Sequence, residues 1–460
     1  MRFLLVFCLL PLGWCLASLP GLPDEPRVPP PPGLVVVTPA AFAPALKDYL
    51  AHKAKQLPTR CVHLETVLQE ASGRDDAEKL KRWLYDQWRH QHLRYVLLVG
   101  DAAVMPVRYM VLDRVTPPAY DYAFYPSDLY YGDVAKEDGS FEDWNGNKDD
   151  FHAHYYGEVR GEKNKSDPIN FDKISYVPEL AVGRWPVATV DEAGVVAAKT
   201  IQYERLLTTG KKPGAERAAF FAIDGWVDSR GVLDAAAKAL GPSWQVERRF
   251  YGQTPAPSEA ELYRLLNEGM GLVVHAGHGE TDRWEHAASL AGFRSKVKNE
   301  DRLPILLSAG CSTAYFAPLP PYEAYVDAAG QQHRGTNHGE VFTAPPPPPA
   351  VYQKQRHHVG LGVKLLSGGP NGAVAYFGCN TGSQPCGLTL VSGMVSGLGR
   401  ADAPPRLGDA WRQAVDHYWK AERLAALTPT ESWYPPSIFF QGMKFMLFGD
   451  PTLLIPGAQP

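Results

Sequence analysis

Three residues of the types that break acyl bonds follow closely on short apolar runs in the second half of the chain. Asp224 follows residues 220–223, His278 follows residues 272–275 and Cys311 follows residues 304–308. A thiolate is a strong nucleophile, an imidazole carries a proton to a leaving amine, and a carboxylate can orient that imidazole and stabilise its charged form. An imidazolium beside a thiol also favours the thiolate. Gly277 and Gly279 flank His278, allowing a sharp turn and the close approach of a substrate backbone. The amides of Gly279 and Cys311 stand beside the two reactive side chains as candidate donors to an oxyanion. The chemistry implied is hydrolysis through a thioester on Cys311, with His278 moving the proton and Asp224 orienting His278. Singly, each signal is weak, because a lone Cys after a buried strand is usually a small core residue.

These groups need a scaffold that brings three strand ends to one rim. Short apolar runs at residues 34–37, 95–99, 180–182, 220–223, 272–275, 304–308 and 373–377 alternate with segments of helical spacing. That alternation predicts α/β architecture with parallel strands covered on both faces. Ligands of such sheets bind beyond the carboxyl ends of the strands. Residues 61–67 read as extended, and residues 40–56, 75–90, 191–206, 231–240, 259–267 and 407–426 as helical. Two adjacent subdomains are expected, 34–187 and 188–456, each with a mainly parallel sheet flanked by helices. Residues 117–172 read as hairpins and loops. Residues 317–358, which include Pro345 to Pro349, are too long for an ordinary connection and are expected to be an insertion overhanging the cleft.

The 460 residues are 45% hydrophobic and 21% charged with a net charge of −4, which argues against nucleic acid or an anionic membrane as an obligatory partner. Arg2, an apolar run over residues 3–14 and the small Ala17 and Ser18 form the pattern of a signal peptide over residues 1–18. A Pro-rich linker, residues 19–33, follows. The apolar run is short for a membrane span, and no later run is long enough for one. Export is expected, to a periplasmic, cell-surface or extracellular location. Beyond the signal, Cys61, Cys311, Cys379 and Cys386 are too few for a disulfide scaffold. Cys379 and Cys386 are close enough in sequence to pair, and equally read as two free thiols.

Asp143, Asn145, Asn147 and Asp149 place oxygen side chains at alternate positions, as a calcium loop begins. His154 stands where the closing Glu is expected, so the segment reads equally as a solvated Asx-rich turn. His152 with His154, His275 with His278, and His357 with His358 lack the full spacing of a zinc site. The chemistry proposed for Cys311 requires no cofactor.

Taken together, several ordered motifs resemble the gingipain family of cysteine peptidases. They include Val273-Val274-His275-Ala276-Gly277-His278-Gly279 with Trp284, then Leu306-Leu307-Ser308-Ala309-Gly310-Cys311. Further marks are Tyr95 to Asp101, Ser127-Asp128-Leu129-Tyr130-Tyr131, Pro178 to Arg184, Gly369 to Tyr376 and Phe448-Gly449-Asp450-Pro451-Thr452-Leu453-Leu454. The resemblance implies a caspase-like fold, a His278–Cys311 dyad, an acid at Asp224 and a peptide or protein substrate. It also implies a structural role for any calcium. Asp234 and Trp284 become candidates for the substrate pocket. The chain departs from the family at Ala314, where a Gly is common, and in residues 378–385, which lack the Trp that walls the pocket of arginine-specific members. Two other readings stand beside hydrolysis: transpeptidation, because a secretion-associated sortase shares this family, and a non-catalytic scaffold or binding protein.

Overall fold

A computed structural model describes residues 33–112, 124–146, 153–158, 168–170, 172–399, 406–428 and 434–456. From Pro32 onward the chain forms one compact unit. Its centre is a ten-stranded sheet. The strands are β1 (Gly33–Thr38), β2 (Thr59–His63), β3 (Leu93–Val99), β4 (Ala181–Trp185), β5 (Arg217–Ala222), β6 (Gln245–Phe250), β7 (Leu272–Ala276), β8 (Ile305–Ser308), β9 (Ala375–Cys379) and β10 (Phe445–Phe448). They lie in the order β2-β1-β3-β4-β10-β9-β8-β7-β5-β6.

The sheet has one reversal. β2, β1, β3, β4 and β10 are mutually parallel, as are β9, β8, β7, β5 and β6. The sets meet where β10 pairs antiparallel with β9, Phe448 opposite Tyr376. The carboxyl ends of the N-terminal strands therefore lie at the rim opposite to those of β7 and β8. The boundary expected near residue 187 falls between β4 and the next helix, and strands from both sides of it share this sheet.

Runs such as Val35, Val36 and Val37 are buried on both faces because each face is covered. Val35 and Val37 pack into one apolar core, and Leu34 and Val36 into the other. The period-2 alternation of a strand sends neighbours to opposite sides. The covering helices include α1 (Lys47–Lys53), α2 (Leu64–Glu70), α3 (Asp76–Gln91), α4 (Val190–Thr208), α5 (Arg230–Ala239), α6 (Glu259–Glu268), α7 (Leu290–Lys296), α8 (Leu361–Ser367), α9 (Gly387–Leu398) and α10 (Leu407–Ala421). Ser258 starts α6 by accepting the Glu261 N–H, an ordinary N-cap. Residues 61–67 do not stay extended. The strand stops at His63, and Leu64 and Val67, spaced by three, are buried on one face of α2.

Several motifs of the resemblance are structural. Arg184, fully buried, donates to both oxygens of Asp128 at 2.7 and 2.6 Å and to the Gly100 carbonyl at 2.8 Å. It thereby ties together three of those motifs.

Residues 317–358 carry a hairpin, Tyr325–Val326 with Gln332–His333. The Tyr109 hydroxyl donates to the Pro318 carbonyl, and the amides of Phe124 and Val107 donate to Pro320 and Val351. Gln353 donates to Ala102. Ala102 follows the carboxyl end of β3, the rim opposite Cys311. These bonds tie the insertion to elements of the N-terminal half, and Arg356 pairs with Glu192 on α4 at 3.0 Å.

Candidate active site

β7 and β8 are parallel neighbours, with Leu272 opposite Ile305 and His275 opposite Ser308. The offset is 308 − 275 = 33, and the offset of the reactive pair is 311 − 278 = 33. His278 and Cys311 therefore leave adjacent strands at the same height, on strands spaced about 4.8 Å apart. The two loops touch. A Cβ on Gly279 would lie 2.8 Å from the Cys311 carbonyl oxygen and 2.7 Å from Thr313 Cγ2. Only glycine permits that approach.

The His278 ring is exposed, and its Nε2 donates to the Gly225 carbonyl at 2.8 Å. Gly225 lies just beyond β5. The chain leaves β5 to form β6 on one side and returns as β7 on the other, which makes the β5–β7 crevice a topological switch point. The His278–Gly225 bond spans it. Gly225 has φ +93°, a conformation that disfavours any side chain. Here the expected arrangement changes. The Asp224 carboxylate accepts the Gly225 N–H at 2.8 Å and makes no bond to His278. A carboxylate beside its own next amide is satisfied locally, and the backbone carbonyl takes the orienting place expected for Asp224.

The Cys311 sulfur is half-buried and accepts the Ser383 N–H at 3.2 Å. Its loop is strapped to the segment after β9 by Ser312 N–H to Thr381 O at 2.8 Å and to the last residue of β9 by Ala314 N–H to Cys379 O at 2.9 Å. Ser312 itself has φ +54°, a mildly strained left-handed conformation held by the first of these bonds. The Cys311 N–H has no acceptor among the described residues. Gly279 pairs with Trp284 one step inside a hairpin closed by Glu280 and Arg283, and Glu285 N–H donates to His278 O. That register makes Gly279 a non-hydrogen-bonded position, so its N–H points away from the partner strand.

A buried polar layer underlies both loops. His275 Nδ1 meets Ser308 Oγ at 3.0 Å, and Ser308 Oγ also accepts the Gly310 N–H at 3.1 Å. The His275 ring stacks on Trp284 with centroids 4.6 Å apart and planes at 2°. Trp284 Nε1 donates to the Tyr376 hydroxyl at 2.9 Å. Burial pushes the His275 imidazole down to about 3, so it is neutral. The same cause pushes the Tyr376 phenol up to about 12.

The sequence model described as Peptidase family C25 matches residues 27–456. The chain belongs to peptidase family C25. It is accordingly a cysteine-type peptidase. Among solved structures it is similar to the Arg-specific cysteine proteinase gingipain R, with a TM-score of 0.61 at 15% identity, covering 92% of this chain and 78% of that one. A complex of Porphyromonas gingivalis RgpB pro- and mature domains gives 0.58 at 14% identity, covering 92% and 79%. A chain described only as a protease gives 0.57 at 14% identity, covering 92% and 78%. At these identities the likeness is one of fold. No curated protein matches the chain.

Other candidates of this peptidase take different places. Asp234 sits on α5 and is paired with Lys238 at 2.7 Å and Arg248 at 2.9 Å, so its charge is spent at the surface. Trp284 is fully buried beneath the His278 loop and offers no face to a substrate. Cys379 and Cys386 are free thiols, pushed up by burial to about 12 and about 11.

Of the calcium candidates, Asn147 and Asp149 lie outside the described residues. Asp143 accepts from Arg74 at 3.3 and 3.2 Å and lies 3.6 Å from Arg82. Asn145 Nδ2 donates to Tyr155 O at 2.5 Å, and its buried Oδ1 has no partner. Lys81, enclosed by the rings of Tyr130, Phe141 and Trp144, also faces Asp133, Glu142 and Asp143. Three cations thus neutralise this cluster, and among the described residues no three His, Cys, Asp or Glu groups could hold a metal. The described half of the loop does not fit calcium.

Sequence reasoning missed Gly225 and Ser383. Gly225 had a detectable cue, a glycine immediately after a strand-ending acid. Ser383 meets Cys311 through its backbone, which no side-chain pattern reveals.

Proposed function

We propose that this peptidase cleaves peptide bonds with Cys311 as nucleophile and His278 as proton carrier. The observation that supports the reading is the shared offset of 33 between the strand register and the reactive pair, by which the two residues follow neighbouring strand ends at the same height. With Nε2 committed to Gly225 O, the free nitrogen of His278 is Nδ1. The Cys311 thiolate attacks the substrate carbonyl carbon, and the resulting oxyanion is received by the N–H groups of Gly279 and Cys311. The intermediate collapses, the C–N bond breaks, and His278 Nδ1–H protonates the leaving amine. The thioester remains. His278 then takes a proton from water, which attacks the thioester and releases the acid and the thiolate. Export is part of the proposal, supported by the apolar run of residues 3–14 with Ala17 and Ser18. No helix among the described residues is long and apolar enough to cross a membrane.

The test is labelling of the mature chain by peptidyl electrophiles with basic, acidic and apolar first residues, in wild type, Cys311→Ala and His278→Ala. Label confined to Cys311 and reduced with His278→Ala is expected. Label on none of the proteins would favour a non-catalytic scaffold.

A further inference from the structure

One peptide unit stands between Cys311 and the half-buried cation of Lys444. The Gly382–Ser383 peptide donates its N–H to Cys311 Sγ at 3.2 Å, while its carbonyl faces Lys444 Nζ at 3.5 Å. Lys444 ends the 3₁₀ turn Gly442–Lys444, which runs directly into β10. Its ammonium lies 5.0 Å from the centroid of the Tyr125 ring. No carboxylate pairs with it among the described residues, and the ionisable groups that face it are the thiols of Cys379, Cys386 and Cys311. On the neighbouring elements, Cys379 faces Lys444 and Cys311, and Cys386 faces Tyr418 and Glu422 as well as Lys444. Burial works against the charge of Lys444. An ammonium partly withdrawn from water is favoured by a nearby negative charge. Cys379 and Cys386, raised by burial, stay neutral and cannot serve as one. The remaining sulfur is that of Cys311.

We propose that Lys444 is a positioning residue that stabilises the Cys311 thiolate through the Gly382–Ser383 peptide. At 3.5 Å the contact is long for a hydrogen bond, so its action is that of a charge on a dipole. The ammonium draws electron density toward the Gly382 oxygen, and the N–H at the other end of the same peptide becomes a stronger donor to sulfur. The thiolate in turn favours the charged form of Lys444. This inference rests on Cys311 being the nucleophile.

The experiment is iodoacetamide alkylation of the full chain against pH, read at Cys311 by peptide mapping with Cys311→Ala as blank. Wild type, Lys444→Met and Lys444→Arg are compared. In Lys444→Met the alkylation curve moves to higher pH, with a rate roughly tenfold lower on its acid side. The alkaline plateau is unchanged or higher, since a more basic thiolate is the better nucleophile. Lys444→Arg returns the curve toward wild type. Superimposable curves for wild type and Lys444→Met, or a loss spread evenly over all pH, would overturn the proposal. Should Lys444→Met not fold, the neutral Lys444→Gln, which retains a donor for the Gly382 carbonyl, is read by the same criteria. Failure of the parent reading looks different. Cys311 of the folded wild type would then alkylate no faster at neutral pH than in the urea-unfolded chain.

Discussion

His275 and Ser308 face each other across β7 and β8 with Nδ1 and Oγ 3.0 Å apart, three residues before His278 and Cys311 respectively. Each pair is thus an image of the other, one inside the sheet and one at its rim. A slip of one residue between these strands would bury different side chains and separate the reactive pair. Ser308 also accepts the Gly310 N–H, so the contact that marks the register also holds the residue preceding the nucleophile.

This buried imidazole gives the fold a pH dependence. Burial lowers His275 to about 3, whereas an unfolded His titrates near 6.5. Between those values the unfolded chain binds the extra proton, so stability falls as pH drops from about 6.5 toward about 3. His275→Phe keeps a ring against Trp284 but has no proton to bind. In a Cys311→Ala background that prevents self-cleavage, wild type is expected to lose roughly 3 kcal/mol between pH 7 and pH 4 that the Phe variant does not lose. Urea unfolding at the two pH values measures the difference. Equal pH dependence of the two proteins would show that His275 is not held neutral.

The Gly225 carbonyl, rather than Asp224, meets His278, and this separates two mechanisms. An acid that directly orients the catalytic imidazole is worth about 10⁴-fold in rate, as the corresponding Asp→Asn change in a serine protease triad shows. Asp224→Asn preserves an oxygen to accept the Gly225 N–H. Its kcat/KM on a peptide substrate is therefore expected within about threefold of wild type. A loss of several orders of magnitude would mean that Asp224 reaches His278 when substrate is bound.

Seven of the ten strands, β1, β3, β4, β5, β7, β8 and β9, were legible as apolar runs, because strands buried on both faces carry little else, whereas the edge strands β2 and β6 mix in exposed polar residues. His278 and Cys311 were legible for the same reason, each being the first reactive residue past such a run. β10 was not. It was visible only as part of a motif near the end of the chain, and its partners, β9 and β4, are remote in sequence and run in opposite directions relative to it. The layer under the site was hidden for a related cause. His275, Trp284 and Tyr376 gain their roles from cross-strand stacking and bonding that no local spacing reveals. The two pocket candidates failed in opposite ways, Asp234 by finding surface partners and Trp284 by being buried.

The position of Asp234 predicts a negative result. A carboxylate that reads a basic substrate side chain must be free in the pocket, and this one is held by Lys238 and Arg248. Asp234→Asn is expected to leave the relative rates on substrates with basic, acidic and apolar first residues unchanged within about twofold. A selective loss on Arg or Lys substrates would place Asp234 in the pocket after all.

A last prediction concerns the rim opposite Cys311. Lys53 is fully buried between Glu204, at 2.8 Å, and Asp450, at 2.9 Å, and also donates to the Thr452 carbonyl at 3.3 Å. Asp450 and Thr452 belong to the Phe448-Gly449-Asp450-Pro451-Thr452 motif, so the motif's role here is to bind a buried cation. Despite its burial, Glu204 is held down to about 2 by Lys53, His52 and Gln56. Such a carboxylate contributes stability above its unfolded value near 4.3, and that contribution is lost as pH falls toward 2. Lys53→Met leaves Glu204 and Asp450 buried without their common cation, at an expected cost of about 3–5 kcal/mol at neutral pH. Without the cation Glu204 loses its main stabilising charge and favours protonation, so the deficit should shrink as pH is lowered toward 5. Urea unfolding of wild type and variant at pH 8 and pH 5 checks both the size and the sign. Cys311 alkylation per folded molecule should be unchanged, because the network and the nucleophile lie at opposite rims of the sheet. A deficit that grows toward pH 5 would show that the cation is not what keeps Glu204 charged.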